Sequence, residues 1–457
     1  MPDREFQGHK ITLPAPLSEK ILSFPFMLLV YLPEDSARAR YVIRHIFRHL
    51  FPTPYLLTGS GKEFLAHQGP KFLYGREQLN DNQFFIKAED IVFETEIKEI
   101  SPLVIKGRIY TGKKPSEFDP IAAIFFLLSR YEEYFTAKTD YHGRYLPESS
   151  VIFQHQLEHI PLVEKYAAEL VEKLESWFPG QLKYSRPRPK AFITVDVDSA
   201  YAYLYKPWYR QMINMARSLM KREAVSPFAV YTGKSKDPYD SYDYLQEKER
   251  ETGLTFKYFF LLGRWSKYDK NISPRHPVFR KLIQHLSKGG KGGIHPSYYS
   301  SEEPEKLERE IGLLSDILQA PVTASRQHYL RFRLPKTYHK LIQYGIREEY
   351  SMGYAGRLGF RASTCSPFYW FDLENNAETE LKVFPVTYMD NCLSDYMGLD
   401  PEEALEKIAS LAKTVYDHHG VFIPIWHNHT VNDYGKFKGW KKVFEDNLRL
   451  LKEMGYA

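Results

Sequence analysis

Apolar runs and amphipathic segments alternate regularly through the second half of the chain. In the segment 302–318 apolar residues recur close to every 3.6 positions, which is typical of a helix with one buried face. We predict strands at Ala191–Asp196, Lys257–Leu262, Gly293–His295, Val322–His328, Glu349–Met352, Leu381–Tyr388 and Val421–His427. We predict helices at Tyr209–Met220, Val278–Ser287, Glu302–Leu318, Pro335–Tyr344 and Pro401–His418. This alternation predicts an α/β fold with a parallel sheet, either closed or doubly wound.

The first part of the chain has a mixed pattern, which predicts an α+β region. A short amphipathic helix is predicted at Tyr41–Phe51, and Asp119 begins another helix because Asp caps helices well and is followed here by Pro. Prolines and basic residues concentrate at positions 178–189, which predicts a linker. We therefore predict an accessory domain of unknown role at 1–185 and a second domain at 190–457.

Composition and charge narrow the class of protein. The chain has 62 Lys and Arg against 57 Asp and Glu, so its net charge of +5 gives no basis for nucleic-acid binding. Its two cysteines, Cys365 and Cys392, provide no disulfide framework. The N-terminus lacks a signal-type apolar region, and the longest apolar runs are too short to span a bilayer. We expect a cytoplasmic protein without a membrane span; the oligomeric state stays open.

Acidic, basic and imidazole side chains occur where several predicted strands end. These residues are Asp196, Asp198, His295, Arg326, His328 and His427. In a parallel β/α architecture the carboxyl ends of the strands share one face, so four separate segments are expected to converge there. No Gly-rich phosphate loop follows the first strand, which argues against a nucleotide-binding fold.

These residue types are suited to metal-assisted hydrolysis. A carboxylate with one or two His binds a divalent transition metal and leaves positions for water and substrate. The second carboxylate can take a proton from the water, Arg326 can hold that carboxylate ionised, and His427 can protonate a leaving amine. The expected reaction is therefore hydrolysis of an amide or ester.

Each of these residues also has a structural interpretation. The acidic pair at 196 and 198 could form a helix-capping turn, and His295, which precedes a proline, could be a turn residue. His328 could be a buried hydrogen-bonding histidine, and His427 a polar strand end.

At these residues the chain resembles the polysaccharide deacetylase family, metal-dependent carbohydrate esterases with a distorted (β/α)7-type barrel of the glycoside hydrolase/deacetylase superfamily. The resemblance covers about residues 190–457 and follows the family's motif order. It implies that Asp196 is the catalytic base, that Asp198 and His295 bind the metal, and that His427 is the general acid. It also implies that Arg326 steadies the base and that the backbone at Tyr329 donates to the oxyanion. The segments 350–354 and 359–362 are similar to a bacterial subgroup with an extra N-terminal domain.

One position departs from the family pattern. The second motif normally carries another His four residues after the first, and here that position is Tyr299. We expect His328 to replace the missing ligand, with zinc as the divalent metal, and Tyr299 to lie near substrate. The resemblance implies removal of N-acetyl groups from an amino sugar, polysaccharide or glycan precursor. Two alternatives remain open: a hydrolase of a cyclic amide, and a non-catalytic sugar-binding protein with a degenerate site.

Overall fold

The computed structural model describes residues 27–112, 117–135, 138–221 and 225–457. Its first part contains a four-stranded parallel sheet in the order β2-β1-β3-β4 and a two-stranded antiparallel hairpin, β5-β6. The strands are β1 (Leu28–Tyr31), β2 (Tyr55–Thr58), β3 (Lys71–Gly75), β4 (Phe85–Lys87), β5 (Leu103–Ile105) and β6 (Arg108–Tyr110). The helices are α1 (Ala37–Arg44), α2 (Gly61–Ala66), α3 (Pro120–Leu128), α4 (Val151–Gln154) and α5 (Leu162–Trp177).

Local sequence explains where the helices of this first part begin. The Asp119 carboxylate accepts hydrogen bonds from the backbone N–H groups of Ile121 and Ala122, so the predicted cap is confirmed. All nine residues of α3 are buried, because the segment is apolar on every face. The helix predicted at Tyr41–Phe51 begins earlier, at Ala37, where Ser36 caps it, and its second half is a π-helical segment, His45–Leu50.

The second part is built on a larger, mostly parallel sheet. Its strands are β7 (Lys190–Val197), β8 (Thr255–Leu261), β9 (Gly292–His295), β10 (Ala324–Ser325), β11 (Glu348–Met352), β12 (Phe368–Asp372), β13 (Ala377–Pro385), β14 (Tyr388–Met389), β15 (Val421–Phe422) and β16 (Pro424–His427). Its helices are α6 (Trp208–Lys221), α7 (Pro227–Tyr231), α8 (Tyr242–Thr252), α9 (Pro277–Leu286), α10 (Pro304–Leu318), α11 (Lys336–Gln343), α12 (Pro401–Asp417) and α13 (Trp440–Glu453).

The strands of this sheet follow the order β12-β13-β11-β10-β9-β8-β7-β16-β14, and β15 also pairs with β7. Every pairing is parallel except that of β12 with β13. The sheet curls because β13 and β14 follow each other directly in the chain but pair with strands far apart in the sheet order, β11 and β16. The N–H of Val386 donates to Met352 at 2.9 Å, and that of Thr387 donates to Ile423 at 2.8 Å. One end of the sheet thereby reaches the other.

The concave side of the curled sheet is filled by large side chains from several strands. Tyr350 stacks on Phe384 with 4.4 Å between ring centroids, and Phe259 packs against Tyr350. Gly293 allows β9 to approach this cluster, since a Cβ atom there would lie 2.6 Å from the Phe259 ring. The interior is therefore a packed core, and the space left for chemistry lies at the ends of the strands.

The predicted α/β alternation is confirmed in type, with differences at some bounds. The strand predicted at Val322–His328 is only two residues long, because the chain leaves the sheet at Arg326 and turns at His328–Leu330. The short antiparallel strand β12 was not predicted. Residues 182–189 form no helix or strand, as expected of a linker, and the domain boundary placed there stays a prediction. No helix in the described ranges combines the length and apolar character needed to cross a membrane.

Candidate functional site

Four strand ends bring the predicted polar residues to one edge of the curled sheet. Asp196 lies within β7 and is in register with His427 at the end of β16. Asp198 directly follows β7, and His295 is the last residue of β9. Arg326 directly follows β10. The convergence predicted from a parallel arrangement is therefore present in the structure.

Asp198 and His295 face each other at the centre of this edge. Nε2 of His295 lies 3.1 Å from Oδ1 of Asp198 and 3.8 Å from the nearer oxygen of Asp196. Nδ1 of His295 lies 2.6 Å from the carbonyl oxygen of Arg326 and must donate to it, because a carbonyl only accepts. In the neutral ring, Nε2 therefore presents a lone pair to the carboxylate, as a metal ligand does.

His328 is held in the same way by a second carboxylate. Its Nδ1 lies 3.0 Å from Oδ1 of Asp269, and its Nε2 lies 3.6 Å from Oδ2 of Asp198. Asp269 is itself fixed, because it also accepts hydrogen bonds from the backbone N–H of Tyr298 and from the Ser266 hydroxyl. A carboxylate behind a histidine that faces a ligand position is the usual second layer of a metal site.

His427 stands on another side of Asp198 with its own carboxylate partner. Its Nε2 lies 3.6 Å from Oδ2 of Asp198, and its Nδ1 lies 2.7 Å from Oδ1 of Asp390. The other oxygen of Asp390 accepts the backbone N–H of His427 at 2.7 Å. Asp390 is completely buried, so it fixes both the ring and the main chain of His427.

Asp196 is a buried carboxylate whose partner is equally buried. Nη1 of Arg326 donates to Oδ1 of Asp196 at 2.9 Å and to the Thr194 hydroxyl at 2.7 Å. The Arg326 side chain is not exposed at all, and its Nε donates to the carbonyl of Tyr350. One oxygen of Asp196 is thus held by the guanidinium, while the other points toward His295.

The electrostatics of the cluster follow from these contacts. Burial opposes ionisation of Asp198, but the charge of His328 holds the pKa of Asp198 well below its usual range. Burial likewise opposes the charge of His328, but Asp198 and Asp269 raise the pKa of its imidazole to about 9. Burial also works against a charged His427, but Asp390 first and Asp198 second raise its pKa to about 10. Without a metal, His328 and His427 therefore carry protons next to the carboxylates that they contact.

Three residues of this group fit a divalent metal ion. Single ligand atoms of Asp198, His295 and His328 all lie within 4.8 Å of one another. Ligands at about 2.0–2.2 Å from zinc stand about 3.3–3.6 Å apart in a tetrahedral site. Nε2 of His295 lies 3.1 Å from Oδ1 of Asp198 and Nε2 of His328 lies 3.6 Å from Oδ2, so each imidazole is at about that separation from one of the two carboxylate oxygens. Oδ1 of Asp198 is buried yet receives no well-formed hydrogen bond, although it faces Nε2 of His295. Two acceptors face each other at that point, and a cation between them would satisfy both.

A cleft of about 450 Å³ opens above this cluster, and a residue from the first part of the chain lines it. Arg144 reaches the cleft from a turn within residues 139–145 and donates through Nη1 to the carbonyl of Tyr329 at 3.1 Å. The neighbouring His142 packs on the Tyr329 ring, with 5.0 Å between centroids, and its Nδ1 contacts the Tyr298 hydroxyl at 3.0 Å. The cleft is therefore built by both parts of the chain.

The two tyrosines predicted near substrate, Tyr329 and Tyr299, differ in their position relative to the cleft. Tyr329 lines the cleft and adopts a left-handed backbone conformation with φ of 62°. Tyr299 is not among the residues that line the cleft; its ring lies against Tyr298 and beneath the Lys306 ammonium. Its predicted role near substrate stays a prediction without a contact to support it.

Three residues of the site were missed in the sequence. Asp390 follows β14 and could have been found by the strand-end rule that indicated the others. Asp269 lies eight residues beyond the end of β8, in a loop with no periodic pattern. Arg144 belongs to the part of the chain in which the sequence indicated no functional cluster, so nothing in its surroundings marks it.

Comparisons with known proteins add a distant likeness. A family of unknown function, DUF7033, matches residues 28–179. No curated protein matches the chain. A Mycobacterium smegmatis structure described as a polysaccharide deacetylase is 12% identical over 59% of this chain and 85% of its own, with a TM-score of 0.39. The polysaccharide deacetylase of Bacillus cereus is 13% identical over 59% and 90%, with a TM-score of 0.30. A CE4 family pseudoenzyme from Bacillus anthracis is 11% identical over 60% and 67%, also at 0.30. At these values the likeness carries no argument about activity.

Proposed function

We propose that this protein is a metal-dependent hydrolase that removes N-acetyl groups from an amino sugar, polysaccharide or glycan precursor. The proposal rests on one observation: the possible metal ligands and two acid–base side chains, Asp196 and His427, lie around the same cleft. Arg326 holds Asp196, and Asp390 holds His427. Asp198, His295 and His328 would hold the ion, and zinc suits a donor set of two imidazoles and one carboxylate. When bound, the ion would supply Lewis-acid activation of water near neutral pH.

Two residues of the chain each carry out one of the proton transfers. Asp196 accepts the proton of the attacking water, and the buried Arg326 donates to that carboxylate and orients it at the cleft. His427 donates a proton to the leaving amine nitrogen, because Asp390 favours its charged form. Both groups border the proposed ligand set: Asp196 lies 3.8 Å from Nε2 of His295, and Nε2 of His427 lies 3.6 Å from Asp198.

Developing negative charge on the acetyl oxygen needs a donor besides the cation. The backbone at Tyr329, in its left-handed turn beside the cleft, is the proposed donor, and Arg144 holds that turn through its carbonyl. We also infer that the parallel strands form the distorted (β/α)7-type barrel of the deacetylase superfamily. Its seven positions would be β7, β8, β9, β10, β11, the stretch β13–β14 and the stretch β15–β16. In this proposal His328 would hold the zinc in place of the usual second histidine.

Acetate release from a panel of N-acetylated sugars, together with metal analysis of the purified protein, tests the proposal. Asp196→Asn should lower turnover by about 10²- to 10⁴-fold while leaving the bound metal in place. Asp417→Asn, at an exposed carboxylate paired with Lys413 far along the chain, is the matched control and should leave turnover unchanged. Zinc-loaded protein that binds sugars but releases no acetate would favour the non-catalytic alternative. Hydrolysis of cyclic amides without acetate release from any sugar would favour the cyclic-amide hydrolase alternative.

A further inference from the structure

The helix α6, which follows the site strand β7, presents an apolar face to solvent. Its exposed positions recur as neighbours on one side of the helix: Trp208, Tyr209, Met212, Ile213 and Ala216. Trp208 is 77% exposed and Met212 is 59% exposed. Phe228, in the adjacent helix α7, is 58% exposed and extends the patch.

The opposite side of α6 is mainly polar and is turned toward the protein. The partly buried positions are Arg210, Gln211, Asn214, Met215 and Ser218, four of them polar. Asn214 is turned inward and interacts with Tyr231 of the adjacent helix α7. A surface helix normally buries its apolar side, so this reversed arrangement indicates that something else covers the outer face of α6.

The charge of this segment indicates what covers it. Residues 206–224 contain five basic residues and one acidic residue, whereas the whole chain is nearly balanced. Lys206 and Arg210 contact Ala202 and Trp265 of the protein, and the other three basic residues are Arg217, Lys221 and Arg222 in the second half of the segment. Helices that lie in a membrane interface combine an apolar face bearing Trp with flanking Lys and Arg, and anionic lipids attract the basic side chains. Trp and Tyr together at one end of the helix are also typical of that interface. We propose that α6 docks this protein on an anionic membrane surface, lying flat in the headgroup region.

The fold fixes this helix at the same edge of the sheet as the candidate site. The segment between β7 and α6 is pinned because Asp237 accepts the backbone N–H groups of Ala202, Tyr203 and Leu204 at 2.8–3.0 Å. Asn271 accepts the N–H of Ala200 just before it. Docking through α6 would bring the cleft to the lipid surface, which suits a glycan carried on a lipid. That choice of substrate rests on the proposed function, whereas the docking does not.

Vesicle co-sedimentation of the full chain tests the docking without any measurement of activity. Wild type should sediment with vesicles of phosphatidylcholine and phosphatidylglycerol in equal parts, and less with phosphatidylcholine alone or at high salt. The double variant W208E/I213E should bind at least about tenfold more weakly. The matched control L65E/L79E changes two leucines of the first part that are 53% and 46% exposed and should bind as wild type does.

Several outcomes would overturn the docking proposal. One is wild-type protein that does not sediment with the anionic vesicles, and another is equal binding of wild type to both lipid compositions. A third is W208E/I213E that keeps its fold by circular dichroism and still binds normally. If light scattering shows a dimer that W208E/I213E dissociates, and vesicles capture neither form, the face is an interface between two copies. Acetate release from a water-soluble substrate should be the same for W208E/I213E and wild type, so failure of the docking and failure of the proposed function remain distinguishable.

Discussion

We propose that His328 binds the metal through Nε2, because Asp269 holds the other ring nitrogen, Nδ1. Replacing Asp269 by Asn tests this without touching a ligand. The asparagine oxygen can still accept from His328 and from the Tyr298 N–H, and its amide can still reach the Ser266 hydroxyl. The shape of the site is therefore preserved, and the negative charge behind the imidazole is removed.

The size of the effect follows from what that charge does. A carboxylate behind a ligating histidine fixes its ring and raises its basicity, and its loss typically weakens metal binding by about 10- to 100-fold. This corresponds to about 1.4–2.8 kcal/mol. The Asp269 side chain is only 2% exposed, so solvent screens its interaction with His328 little and the upper half of the range is expected.

Zinc affinity measured by competition with a chromophoric chelator provides the assay. Asp390→Asn is the matched comparison, because Asp390 is also a buried carboxylate that holds a histidine through Nδ1, at 2.7 Å. Asp390→Asn should leave zinc affinity close to that of wild type and lower turnover by about 10²- to 10⁴-fold, since His427 acts on the leaving group.

The opposite pattern would refute the assignment. If Asp269→Asn binds zinc as tightly as wild type while its thermal stability falls, His328 is a structural histidine and the ion is held without it. If Asp390→Asn instead loses zinc, His427 is the third ligand and another group must protonate the amine.

Two further predictions concern residues at the edge of the site. Arg144→Ala removes the hydrogen bond to the Tyr329 carbonyl, so kcat/KM should fall by about tenfold while zinc affinity, measured by the same competition, is retained. Equal kcat/KM in wild type and Arg144→Ala would remove the first part of the chain from the mechanism. Tyr299→His restores the residue type usual in the family motif but should not tighten zinc binding, because its ring lies outside the cleft beneath Lys306. A clear gain in affinity would show that this segment can turn inward.

The central residues of the site could be predicted because strand ends are well defined in a sequence. Apolar runs such as 191–195 locate buried strands, and parallel pairing then brings their carboxyl ends to one edge whatever the details of the loops. Asp196, Asp198, His295 and His427 all follow from that single rule.

The second layer of the site could not be predicted in the same way. Asp269 reaches His328 from a loop whose course is set by side-chain contacts, such as those that Asn271 makes with Val197 and Leu261. These contacts join residues distant in sequence and leave no periodic pattern. The predicted bounds of β10 were also wrong, because the chain leaves the sheet after Ser325, where Arg326 and His328 make polar contacts.

The first part of the chain is tied to the second by buried charges as well as by apolar packing. Glu133 accepts hydrogen bonds from Arg361 at 2.7 and 2.9 Å and from its neighbour Arg130 at 2.8 Å, and all three side chains are at most 4% exposed. Removing one member of such a group leaves an uncompensated buried charge, which is strongly destabilising. Arg144 lies eleven residues beyond Glu133 in the chain. Its turn is held at the cleft by Arg331 and Arg333, which donate to the carbonyls of His142 and Gly143. The residues before the linker thereby contact the site at Tyr329, even though none of them was expected to take part in the chemistry.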